Sequence, residues 1–210
     1  MVEYEVIPER TAILVFDMIN DFVDPRSPGY TSGADQMALR LKDLLDLCRS
    51  KGVLVVYASE SLRPDGLDWG RLGDIWERVG DRKILMEGTE GVEIYKELEP
   101  KPGDIVIKKH RYSAFYGTEL ELVLRGRGAD TLIVSGVSLV VGCDTTVRDA
   151  FNRDLKVILL SDGCELSDLP DQGWGAVPKE VARRVYLTTV ARAFGQVMSI
   201  DELTQKLSLS

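Results

Sequence analysis

Residues 131–160, TLIVSGVSLVVGCDTTVRDAFNRDLKVILL, decide the fold. Residues 131–134 (TLIV) and the apolar run at 157–160 read as short strands, and residues 144–153 between them read as a helix. A strand, a helix and a second apolar strand make a crossover unit, which sets its two strands parallel. Strands this uniformly apolar belong to a sheet covered on both faces.

The pattern repeats outward in both directions. Residues 11–16 (TAILVF) form a β-branched run that ends in Asp17. Residues 34–50 carry Met37, Leu41, Leu44, Leu45 and Cys48 at helical spacing. Residues 53–57 (VLVVY) follow Gly52, and residues 105–107 (IVI) follow Pro102 and Gly103. A helix at 119–125, one at 178–191 opened by Pro178, a short strand at 196–198 and a helix at 201–207 complete the series. Six strands alternating with helices predict one α/β domain over residues 1–210, a doubly wound, Rossmann-like, six-stranded parallel sheet with helices on both faces. Ligands of such sheets bind beyond the carboxyl ends of the strands. That places attention on Asp17, on Ser59 and Glu60, on Lys109, and on residues 136–143.

Composition narrows the function. The 210 residues carry a net charge of −8, and the basic cluster Lys108, Lys109, His110 and Arg111 is too short for a nucleic-acid footprint. No apolar run approaches the roughly 18 residues of a membrane span, and the N-terminus has no signal-peptide pattern, so the expected location is the cytoplasm. The three cysteines, Cys48, Cys143 and Cys164, are too few for a disulfide framework, and with a single histidine, His110, no metal site is expected. No cofactor is expected, and the partner is a small-molecule substrate rather than nucleic acid or membrane. Residues 61–89 are irregular, carry Trp69 and Trp76, and suit either a lid or a packed surface excursion with one helical turn around residues 74–79.

Three strand ends carry chemistry. A carboxylate at the edge of an apolar environment, such as Asp17, has its proton affinity raised and suits acid–base work; it equally suits capping the next turn. Lys109 beside it would pair with that carboxylate or stabilise an oxyanion, whereas a solvated lysine is the plain alternative. Alternation along the strand sends one of Lys108 and Lys109 inward and the other out. Residues 136–143 lead into a helix N-terminus, which suits an oxyanion hole around Ser138 and Gly142 and an activated Cys143 thiol, or simply a turn with a buried cysteine. Phe22, Trp69, Tyr112, Phe115 and Val137 are candidate substrate-binding walls.

Three stretches in order, TAILVFDMINDF, VIKKHRYSAFYGTELELVLRGRGADTLIVSGV and TTVRDAFNRDLKVILLSDGC, resemble the isochorismatase-like (cysteine hydrolase) superfamily over nearly the whole chain. The resemblance implies a metal-free hydrolase with Asp17 and Lys109 as catalytic residues, a cis peptide bond after Val137, and assembly as a homo-oligomer, dimer or tetramer. It breaks at the nucleophile. The family cysteine stands six residues after the glycine matching Gly136, which here is Gly142, and Cys143 comes one residue late. One step on a helix turns a side chain by about 100°, so Cys143 would face away. Isochorismatases share this Gly-Cys pair and use their aspartate to protonate an enol ether while water attacks. Their polar residues are replaced here by Ser138, Leu139 and Val140, which puts isochorismate itself in doubt. Three functions follow: acid–base hydrolysis by Asp17 and Lys109 at a Gly142–Cys143 elbow; amide or carbamoyl hydrolysis by a Cys143 thiolate, as in N-carbamoylsarcosine amidase; or a catalytically inactive binding homologue.

Overall fold

A computed structural model describes residues 2–209. The six strands are β1 (Thr11–Phe16), β2 (Leu54–Glu60), β3 (Ile105–Lys109), β4 (Thr131–Val137), β5 (Lys156–Glu165) and β6 (Gln196–Met198). All pairings are parallel, in the order β3-β2-β1-β4-β5-β6. The longer helices are α1 (Ala34–Lys51), α2 (Leu120–Arg127), α3 (Asp144–Phe151), α4 (Lys179–Ala193) and α5 (Ile200–Leu209). The expected α/β architecture is present.

Strand parity divides the core in two. Ile13, Val15, Val55, Tyr57, Ile133 and Ile158 face α1 and α5, meeting Met37, Leu41, Leu45, Leu203 and Leu207. Ala12, Leu14, Phe16, Val56, Ala58, Ile107 and Val134 face α2, α3 and α4, meeting Leu124, Val147, Ala150 and Val190. Every residue of β1 is buried, as a central parallel strand requires.

Four strands run beyond their apolar stretches, mostly at their carboxyl ends. β2 continues through Ser59 and Glu60, β3 through Lys108 and Lys109, β4 to Val137 and β5 to Glu165. Parallel pairing satisfies their backbones, and the Ser135 hydroxyl donates to the Leu14 carbonyl at 2.9 Å. These extensions bring Glu60 to the cleft and Lys109 beneath it. The single helical turn expected at residues 74–79 is two turns, Leu72–Ile75 and Glu77–Gly80, separated where Trp76 adopts an extended backbone and turns inward. Among the described residues no helix is long and apolar enough to cross a membrane.

Candidate active site

Phe16, Glu60 and Lys109 close the carboxyl ends of β1, β2 and β3. Glu60 pairs with Lys109 in register, and Phe16 pairs with Ala58. Asp17 follows with φ +49°, a left-handed conformation rare for a residue with a side chain. This turn lets its N–H donate to the Ala58 carbonyl at 2.9 Å while its carboxyl enters the cleft.

Lys109 is fully buried, whereas Lys108 is exposed and pairs with Glu87 at 2.9 Å. The Lys109 ammonium lies 2.7 Å from Asp17 Oδ2, 3.0 Å from Glu60 Oε2 and 4.3 Å from the centre of the Phe16 ring. The Glu60 N–H donates to Asp17 Oδ1 at 2.7 Å. Burial pushes the Asp17 carboxyl up to about 7; Lys109 opposes that rise and the Glu60 charge adds to it. Burial disfavours the Lys109 charge, yet its two carboxylate partners overcome this and hold its proton more tightly than usual. Two carboxyl groups thus share one ammonium, and Asp17 can carry a proton near neutral pH.

A π-helical turn, Leu139–Cys143, precedes α3. It starts after a cis peptide bond between Val137 and Ser138. The Ser138 carbonyl accepts the N–H groups of Val141 and Cys143 at 3.3 and 3.1 Å, so these two donors are committed within the turn. Gly142 faces Phe16: a Cβ there would lie 2.2 Å from the ring's Cε1 and 2.5 Å from Cζ. Cys143 is fully buried in the core beneath α3, and it does not line the cleft. Burial, reinforced by the Cys164 thiol beside it, pushes its own thiol well above the ordinary range, against the activation expected of a helix N-terminus.

The cleft holds about 610 Å³. Asp17, Glu60, Val137, Ser138 and Gly142 border it, with Phe22, Trp76 and Tyr112 among its walls and Glu77, Arg78 and Asp168 as further charged groups. Trp76 meets Phe22 edge-on at 6.2 Å and Tyr112 at 6.4 Å. Two expected wall residues stand elsewhere. Trp69 packs within its own excursion, over Gly66 and Gly73 and under Arg82, with its indole N–H on the Arg63 carbonyl. Phe115 is buried in the opposite core beneath the Arg153 guanidinium. Trp76 takes the place given to Trp69.

The excursion is hung on the site's own segment. Leu62 accepts from Glu87 and donates to Leu85, the Leu85 N–H also reaches the buried Asp21 carboxylate at 2.6 Å, and Tyr95 donates to Met18 at 2.9 Å. Among the described residues no group of three or more His, Cys, Asp or Glu side chains is arranged to hold a metal ion. Sequence reasoning stopped the second strand at Tyr57 and so left Glu60 as a position to inspect rather than a site residue. Continuing the alternation from Val56 through Ala58 would have set it on the Lys109 face.

The isochorismatase domain model matches residues 11–201. A cysteine hydrolase from Pseudomonas syringae pv. phaseolicola 1448A superimposes with a TM-score of 0.95 at 36% identity, covering 99% of this chain and 97% of that one. Ureidoacrylate amidohydrolase RutB from Agrobacterium fabrum is 32% identical over 74% of this chain and 75% of its own length. An isochorismatase from Bacillus subtilis is 34% identical over 74% of this chain and 48% of its own length. Sheet order, strand-end polar residues and these matches agree that the chain belongs to the isochorismatase family of hydrolases.

Proposed function

We propose that this chain hydrolyses a small molecule by acid–base chemistry, with Asp17 as the general acid and no covalent enzyme intermediate. One observation carries this reading. The position facing Phe16 is Gly142, the ring fills the space a side chain there would need, and the buried Cys143 thiol does not line the cleft.

The chemistry suits an enol ether or a related bond. A protonated Asp17 transfers its proton to the carbon β to the ether oxygen, leaving an oxocarbenium carbon. Water adds to that carbon and gives up a proton, and the hemiketal collapses to a carbonyl compound and an alcohol. Lys109 holds the Asp17 carboxylate in place after transfer, and the negative charge of Asp17 and Glu60 stabilises the developing cation.

The names of two relatives, a cysteine hydrolase and an amidohydrolase, favour a second reading in which the turn shifts and Cys143 attacks as a thiolate. Kinetics separate the two across enol ethers, amides and carbamoyl compounds. Asp17→Asn is expected to lower kcat/KM by about 10²–10⁴-fold, with Cys143→Ala within about threefold of the parent and iodoacetamide inert. Abolition by Cys143→Ala, with selective labelling of that thiol, would transfer the reaction to sulfur.

A further inference from the structure

Glu60 has one oxygen in use and one without a partner. Its Oε2 accepts from Lys109, while Oε1 is buried with no hydrogen-bond partner among the described residues. The residue is 3% exposed and borders the cleft. A buried acceptor left unsatisfied destabilises the free protein, so a ligand that supplies a donor recovers that loss on binding. The surrounding charges point the same way: Asp17, Glu60, Glu77 and Asp168 line the cleft against Arg78, and Lys109 lies beneath the two inner carboxyls rather than in the wall. A substrate carboxylate placed at Glu60 Oε1 would meet the carboxyl groups of Glu60 and Asp17, and the ammonium between them, Lys109, is already engaged by both.

We propose that Glu60 sets substrate specificity: its free Oε1 accepts a hydrogen bond from a substrate N–H or O–H, so the inner cleft takes a neutral or cationic, donor-bearing group and rejects a carboxylate. The aromatic walls Phe22, Trp76 and Tyr112 suit a planar body attached to that group. This deepens the hydrolase reading, because it presumes that the cleft beside Asp17 is where substrate binds.

The test uses four planar probes of similar size: benzamide and benzamidine, which carry N–H donors, and N,N-dimethylbenzamide and benzoate, which carry none. Their dissociation constants are measured by ligand-observed NMR on the full chain, with Glu60→Gln beside it. The unmodified protein is expected to bind each donor probe at least tenfold tighter than either donor-free probe. In Glu60→Gln the amide oxygen can keep the Lys109 contact and turn its NH2 to the cleft. The benzamide–benzoate preference should then shrink at least tenfold or reverse. A merely structural Glu60 would weaken all four probes alike. Benzoate binding as tightly as benzamide to the unmodified protein, an unchanged order in Glu60→Gln, or no binding by any probe would each overturn the proposal. The order is read without turnover, so it can fail while Asp17-dependent hydrolysis stands, and the converse holds.

Discussion

Gly142→Ala tests the packing on which the acid–base reading rests. The added Cβ would sit 2.2 Å from Phe16 Cε1, while carbon atoms rest at about 3.5 Å, so the ring must retreat by about 1.3 Å. Phe16 is fully buried in the core, with the Lys109 ammonium 4.3 Å from its ring centre, so retreat disturbs its neighbours. Overpacking of this kind costs about 1–3 kcal/mol. Replacing a helical glycine by alanine returns about 0.5–1 kcal/mol. The expected net loss is about 1–2 kcal/mol, which lowers Tm by roughly 2–8 °C for a chain of this size. Urea unfolding of Gly142→Ala, Phe16→Leu and the double variant supplies the assay. Leucine vacates part of the ring's volume, so the double variant should be more stable than the two single losses predict, by at least about 0.5 kcal/mol. A Gly142→Ala protein as stable as its parent, with additive losses in the cycle, would show that position 142 has free space and would remove the argument against a side chain there.

The general-acid role gives a signed pH profile. Activity needs the protonated Asp17, so kcat/KM should be flat below its raised value of about 7 and fall about tenfold per pH unit above it; a rate that climbs with pH over this range would favour a thiolate. Lys109→Met removes the charge that holds Asp17 down, so its folded-state proton affinity rises further above the unfolded value. The folded state then binds more protons than the unfolded state, and stability falls as pH rises. Urea midpoints at pH 5 and pH 8 should show a loss about 1 kcal/mol larger than the parent's, and equal losses would count against the coupling. Trp76→Ala, which strips the cleft wall, should raise KM about tenfold with kcat within threefold; Trp69→Ala should leave KM unchanged. Arg49→Ala removes the guanidinium that holds the buried Asp104 carboxylate at 2.7 Å, leaving it the Lys101 N–H, and should cost about 2–4 kcal/mol with no change in KM.

The strands were readable because their middles are apolar runs rich in β-branched residues. Their polar ends were not, since Ser59, Glu60 and Lys108 look like the start of a loop until a neighbouring strand is known to pair with them. Lys109 was legible by alternation against Lys108 and by resemblance. Asp17 was legible as the polar stop after residues 11–16. The aromatic walls were harder. Trp69 and Trp76 sit in an aperiodic excursion, and only the fold reveals that one covers its own glycines while the other joins Phe22 and Tyr112. Phe16 reads as one more core residue of an apolar strand. Its apposition to Gly142 is a contact between distant parts of the chain, with no local signature in either.

The excursion after β2 leaves and rejoins the sheet at neighbouring points, through Leu62 with Leu85 and Glu87 and through Tyr95 with Met18. Asp21 fastens its returning limb four residues beyond Asp17. Such a segment behaves as a cassette. Its interior can be lengthened, shortened or exchanged while the sheet register and the acid–ammonium pair stay in place, provided the clasp at Asp21 is kept. Chimaeras that transplant residues between Leu62 and Leu85 from a relative should therefore exchange the Trp76 wall of the cleft, and the part of substrate choice it sets, while Glu60 and the acid–ammonium pair stay unaltered.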